Sequence, residues 1–200
     1  MTLSGGPESS VLAEAPRGTS AGEPDSPTRA PLSVVIPAFN EERVIERCLR
    51  ALLRGAEPFE LDVIVACNGC TDRTAEIARS VEGPIRVIET KEASKVAALN
   101  LGDEAAMHFP RFYVDADVVL EMPALRALAV ALEQDGVLAV SPRMDMDLEQ
   151  SSWAVRAFYR VWSRLPYTRE GMIGVGSYGL SRLGRDRFES FPKFFLESPL

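Results

Sequence analysis

Two aspartates one residue apart, Asp115 and Asp117, are the side chains of this sequence best suited to chemistry. At the end of a strand, such a pair can share a hard divalent cation. Alternatively, one can hold the ion and the other a sugar hydroxyl. Magnesium or manganese accepts few carboxylates and keeps positions open for phosphate oxygens. The preceding Phe112, Tyr113 and Val114 form a short apolar strand that would present the pair. A lone Asp-x-Asp is more often a solvated acidic turn. This one has company. Val34-Val35-Ile36 runs into Pro37-Ala38-Phe39-Asn40-Glu41, and the apolar run Leu61 to Ala66 ends at Cys67-Asn68-Gly69-Cys70-Thr71-Asp72. In open α/β sheets ligands bind beyond the carboxyl ends of the strands, so the three polar clusters are expected on one rim.

The elements that must position these clusters alternate along the chain. Ser33–Pro37 reads as a buried strand, and Asn40 as the cap of a helix with Glu41 and Glu42 at its positive end. Val44, Ile45, Cys48, Leu49, Leu52 and Leu53 recur at helical spacing, and Gly55 can stop that helix. Further strands are expected at Leu61–Ala66, Ile85–Glu89, Arg111–Asp115 and Val137–Ser141, with helices at about Arg73–Val81, Ala93–Met107 and Pro123–Gln134. Such alternation predicts an α/β fold, a mostly parallel, Rossmann-like sheet with helices on both faces.

The flanks read differently. Residues 1–30 are rich in Ser, Gly, Pro and Glu without apolar period, which predicts a disordered tail. The expected domain covers 31–200. Trp153, Ala154, Ala157, Phe158, Val161 and Trp162 mark an amphipathic helix whose aromatic face is expected in the core; an acceptor groove or a peripheral membrane contact is the alternative. Gly171–Gly184 reads as loops or edge strands, and the apolar run Phe191–Leu196 just before Leu200 suggests a domain cut short.

The chain has 200 residues and a net charge of −7, which disfavours nucleic acid as a partner. No apolar run reaches the roughly 18 residues that span a bilayer, and no secretory signal is visible. Three cysteines fit a reducing compartment, so a cytoplasmic location is expected. Cys67-x-x-Cys70 has the spacing of a redox dithiol, yet it is embedded in polar ligand-type residues that dithiol exchange does not need. Gly174-x-Gly176-x-x-Gly179 matches a dinucleotide fingerprint in letters, but too little chain follows to complete the unit.

Order and spacing together carry a resemblance. Val34-Val35-Ile36-Pro37-Ala38-Phe39-Asn40-Glu41, Asn68-Gly69-Cys70-Thr71-Asp72-Arg73-Thr74, Lys95 with Ala98-Leu99-Asn100-x-Gly102, Asp115-Ala116-Asp117 and Gly176 to Arg182 resemble glycosyltransferase family 2 over about Ser33 to Phe191. The resemblance implies a GT-A fold and an inverting transfer from a nucleoside-diphosphate sugar donor to the hydroxyl of an unknown acceptor, assisted by Mg2+ or Mn2+. It implies a nucleotide-sugar pocket of Pro37, Phe39, Glu41, Asn68, Asp72, Lys95 and Asp115, with Asp117 as principal metal ligand beside Asp115. Asn68 stands where an acid commonly contacts the base; its amide oxygen can accept from a uracil imide, and its nitrogen can also donate. By spacing Glu197 matches the carboxylate that deprotonates the acceptor, although Ser198 replaces the expected second acid and a solvated glutamate fits Glu197 as well. An incomplete or inactive nucleotide-sugar-binding module is the alternative function. A sugar nucleotidyltransferase is a further one, disfavoured because Pro37-Ala38-Phe39-Asn40 is not a glycine-rich loop.

Overall fold

The computed structural model describes residues 30–142, 152–162 and 176–192. The expected tail up to residue 29, Gly174, Glu197 and the apolar run past Pro192 lie outside the described residues. Six strands, β1 (Leu32–Ala38), β2 (Leu61–Asn68), β3 (Ile85–Thr90), β4 (Arg111–Val114), β5 (Ala139–Val140) and β6 (Ser177–Leu180), form one sheet in the order β3-β2-β1-β4-β6-β5. β1 to β4 pair in parallel, and β6 is antiparallel to both β4 and β5. Five strands therefore share one direction, as the alternating pattern predicts.

Strand residues alternate between faces, so a strand buried on both sides is apolar throughout. Val34, Ile36, Val63, Val65, Phe112 and Val114 face one core layer, shared with α1 (Ile45–Leu53), α2 (Thr74–Ser80) and α4 (Met122–Leu132). Val35, Ile64 and Tyr113 point the other way, against Val96 and Leu99 of α3 (Lys95–Ala105), and Leu180 and Phe191 complete that layer. Helices thus cover both faces.

Gly102 lets α3 lie this close. A Cβ there would collide with Cγ1 of Val35, a stiff side chain with no exposure. Gly102→Val is therefore expected to destabilise the fold by roughly 1–3 kcal/mol, seen as a lower urea midpoint at unchanged slope. An unshifted midpoint would show that α3 is free to back away from β1.

Four local expectations are corrected. The first helix begins at Ile45, not after Asn40. Asn40 adopts a left-handed conformation (φ 55°), and its side-chain oxygen accepts from the Thr71 N–H at 2.8 Å. A short polar side chain tolerates that conformation, and the bond to another loop replaces the cap. The strand expected over Val137–Ser141 is only Ala139–Val140, held at the sheet edge by β6, because Val137 is occupied in a turn to Gln134. β6 itself, foreseen only as loop or edge strand, lies inside the sheet. The fourth concerns the aromatic helix α5 (Trp153–Trp162). It forms as the spacing predicts, yet Trp153 is 80% and Phe158 60% exposed, not core. Periodicity shows which side chains share a face. It does not show what covers that face.

Beyond β6, the short helix α6 (Arg182–Arg185) docks on the sheet through buried charge. Asp103 of α3 pairs with Arg111 of β4 and accepts from the Tyr113 hydroxyl, while Arg185 Nε reaches its other oxygen at 2.7 Å. Asn100 grips the backbone of Phe191 from both sides: the Phe191 N–H donates to Oδ1 at 2.8 Å, and Nδ2 donates to the Phe191 carbonyl at 3.3 Å.

Candidate active site

The carboxyl ends of β1, β2 and β4 lie side by side, and the loops leaving them are tied to one another before any ligand is considered. Both oxygens of Asp72 are engaged. Oδ2 accepts from the Glu42 N–H at 3.1 Å, and Oδ1 from the Thr74 N–H at 3.0 Å and the Thr74 hydroxyl at 2.5 Å. Burial alone would raise this carboxyl; the hydrogen bonds outweigh it and hold Asp72 below the usual range. The Thr74 hydroxyl also accepts from the Glu41 N–H at 2.8 Å, and the Arg73 N–H donates to Glu42 at 3.2 Å. Asp72 and Asn40 thus act as fasteners between the loops after β1 and β2. Glu41 is presented by that joint.

Asp115 and Asp117 flank the buried Ala116 at the end of β4. Asp115 is 34% exposed at its side chain and pairs through Oδ1 with Nζ of Lys95, 2.6 Å away at the start of α3. Its backbone N–H donates to the Gly176 carbonyl at 2.7 Å. Gly176 is glycine for two reasons. Its φ is +63°, and a Cβ there would come within 2.7 Å of Val118 Cγ2 and 3.6 Å of Asp115 Oδ2. The Asp117 side chain is exposed, and its carbonyl accepts from Arg47 Nη2 at 3.2 Å. Arg47 braces the turn from α1. It belongs to no motif, so sequence reasoning missed it.

The electrostatics bind these groups into one site. Burial raises the Glu41 carboxyl, and Asp117, Asp115 and Asp72 raise it further, with only Lys95 opposing. Among the described residues, Glu41 thus feels three aspartates and one lysine. Of the other expected residues, Pro37 is buried in β1 opposite Ala66, Asn68 is buried at the end of β2, and Phe39 is exposed on the rim. Lys95 and Asp115 are paired, and Asp117, Asp115 and Asp72 lie near enough to act on Glu41; Glu197 lies outside the described residues.

Among the described residues no group of three or more His, Cys, Asp or Glu forms a cation cage. The donor set nevertheless fits a hard cation that takes part of its shell from elsewhere. Asp115 and Asp117 supply carboxylate oxygens, the local charge is negative, and magnesium-type sites commonly use one or two carboxylates plus phosphate oxygens. Thiol chemistry fits poorly. Burial, and then Cys70, push the Cys67 thiol up to about 12, and the Cys70 thiol points at the Ala38 carbonyl at 3.2 Å.

The model of the family described as glycosyl transferase family 2 matches residues 33–177, from the second residue of β1 to the first of β6. The chain belongs to glycosyl transferase family 2. A dolichyl-phosphate beta-glucosyltransferase of Drosophila melanogaster is 32% identical over 155 residues, 68% of this chain and 47% of that protein. Glycosyltransferase AglD of Haloferax volcanii is 35% identical over 105 residues, 48% of this chain and 17% of its own. Among solved structures, a mannosyltransferase of Pyrobaculum calidifontis, in complex with GDP-Man and Mn2+, superposes with a TM-score of 0.64 at 24% identity, over 84% of this chain and 49% of that one. A glucosyl-3-phosphoglycerate synthase of Mycobacterium tuberculosis, in complex with Mn2+, UDP-glucose and phosphoglyceric acid, gives 0.55 at 22% identity, over 77% and 57%. These likenesses establish the GT-A fold. The chain spans about half the length of the fly glucosyltransferase it matches. Among the described residues of this family 2 chain, no helix is long and apolar enough to cross a membrane.

Proposed function

We propose that this family 2 chain binds a nucleoside-diphosphate sugar along the rim of β2, β1 and β4 and transfers the sugar, with inversion, to an acceptor hydroxyl. The observation that carries the reading is the carboxylate pair at the β4 end, where the exposed Asp117, its side chain without a partner among the described residues, stands two residues from Asp115 and its Lys95 ion pair. One or two carboxylates at an open strand end suit a hard cation that completes its shell with phosphate oxygens. Asp117 and Asp115 would hold the ion. It would supply Lewis-acid stabilisation of the charge that builds up on the departing diphosphate.

The protein's own groups do the rest. Asn68 offers an amide donor and acceptor to the base, and Pro37 and Phe39 shape the pocket wall beside Glu41. Asp72 keeps that wall in place through its bonds to Glu42 and Thr74. Lys95, already paired with Asp115, has an ammonium that can turn to the donor phosphates when the carboxylate is taken up. Glu197 remains the proposed base for the acceptor proton, on its place in the sequence. Deprotonation on the face opposite the leaving group makes the reaction a single displacement, hence inversion.

Titration calorimetry with UDP-glucose and with GDP-mannose, each with Mn2+ and with excess chelator, tests the reading. One of the two is expected to bind in the micromolar range and to weaken at least about tenfold on chelation. Failure of both to bind at millimolar concentration would overturn it. Metal-dependent binding without transfer to any acceptor would make the chain a nucleotide-sugar-binding module.

A further inference from the structure

Tyr178 is half-buried, and the proposed reaction gives its hydroxyl no part. It sits on β6 directly opposite Tyr113, and the two rings stack at 4.9 Å with an interplanar angle of 21°. Their hydroxyls differ. That of Tyr113 is spent on Asp103, whereas that of Tyr178 has no hydrogen-bond partner among the described residues. The Tyr113 ring beneath this stack is itself fixed, since Phe191 meets it edge-on at 5.0 Å and is gripped by Asn100. Burial, then Asp115 and Asp103, push the ionisation of Tyr178 upward, so its O–H stays a donor. The β4–β6 register sets Ser177 opposite Val114, and the Asp115 N–H donates to the Gly176 carbonyl, so Tyr178 lies two residues from the backbone that holds Asp115.

The position along the rim indicates the ligand. Asn68 and Glu41 belong to the β2 and β1 side, Asp115 and Asp117 to the end of β4, and Tyr178 to the next strand outward, β6. An extended molecule with its diphosphate at Asp115 and its nucleoside toward β2 has its third part, the sugar, toward β6. A rigid aromatic ring with a free hydroxyl suits a hexose, which presents both C–H faces and hydroxyls.

We propose that Tyr178 binds the hexose of the donor, its O–H donating to a sugar hydroxyl and its ring edge packing against the sugar. The inference rests on the reading of the rim as a nucleotide-sugar site and deepens it.

Calorimetry in Mn2+ tests it, with whichever of UDP-glucose and GDP-mannose the unaltered protein binds, and with the matching UDP or GDP. Tyr178→Phe keeps the stack and removes only the hydroxyl. It is expected to weaken the nucleotide sugar about tenfold, to leave the nucleoside diphosphate unchanged, and to leave Tm unchanged. Tyr113→Phe is the counterpart: it should lower Tm and leave the ratio of the two dissociation constants alone. An unaltered nucleotide-sugar affinity in Tyr178→Phe overturns the inference, as does equal weakening of UDP or GDP. A change confined to the acceptor KM would overturn it too, by assigning the hydroxyl to the acceptor. If the unaltered protein binds neither nucleotide sugar, the reading of the whole site fails first, and this falls with it.

Discussion

Asp117→Ala is expected to lower sugar transfer by about 10²–10³-fold while leaving the melting temperature in place. The magnitude is that of removing one preorganised group from a centre where charge develops in the transition state. Asp117 is exposed and its carboxylate supports no neighbour in the described residues; only its carbonyl is used, by Arg47, and alanine keeps that carbonyl. Activity and stability should therefore separate cleanly. The loss should appear in kcat/KM at saturating Mn2+, and Asp117→Asn should be almost as impaired, because a neutral amide cannot replace the charge. Asp115→Asn is predicted to behave differently. It releases Lys95 from its 2.6 Å pair, so donor affinity and turnover should both change. Undiminished turnover in Asp117→Ala would remove the aspartate pair from the mechanism.

The second large effect is on stability. Asp103→Ala should cost roughly 3–5 kcal/mol, because it strands the buried Arg111 and the docked Arg185 without their shared counter-charge. For a domain of this size that is a fall in Tm on the order of 10 °C. Burial alone would raise the Asp103 carboxyl, but hydrogen bonds from Arg185, Tyr113 and Arg111 outweigh it and hold the carboxyl below the usual range. A depressed carboxyl contributes its full stability above its unfolded pKa of about 3.9 and loses it as the pH falls below that value. Acid unfolding of the unaltered protein should therefore begin below about pH 4, and Asp103→Asn should flatten that limb. Equal acid sensitivity in the variant would show that other carboxylates govern it.

These two aspartates also differ in how readable they were. Asp117 is conspicuous in the sequence because it is polar where a strand ends, next to a second acid, and strand ends are where α/β sheets bind ligands. Asp103 has no such mark. It sits inside a helix, and its partners lie 8, 10 and 82 residues along the chain. The aromatic face of α5 shows the same limit from the other side. Helical spacing correctly marked Trp153 and Phe158 as neighbours, but their exposure was decided by what packs there.

The order of strands and helices, the buried character of β1, β2 and β4, and the gathering of Glu41, Asn68, Asp72, Lys95, Asp115 and Asp117 on one rim all follow from local pattern. Apolar runs and turn residues act over a few positions, and the right-handed rule for parallel strands then leaves little freedom in where the strand ends meet. Long-range contacts decided everything else: that Asn40 binds Thr71 instead of capping a helix, that β6 inserts between β4 and β5, that Lys95 pairs with Asp115, and that Tyr178 stacks on Tyr113. Each depends on a partner tens of residues away, and a side chain's partners are set by packing, which no window of sequence contains.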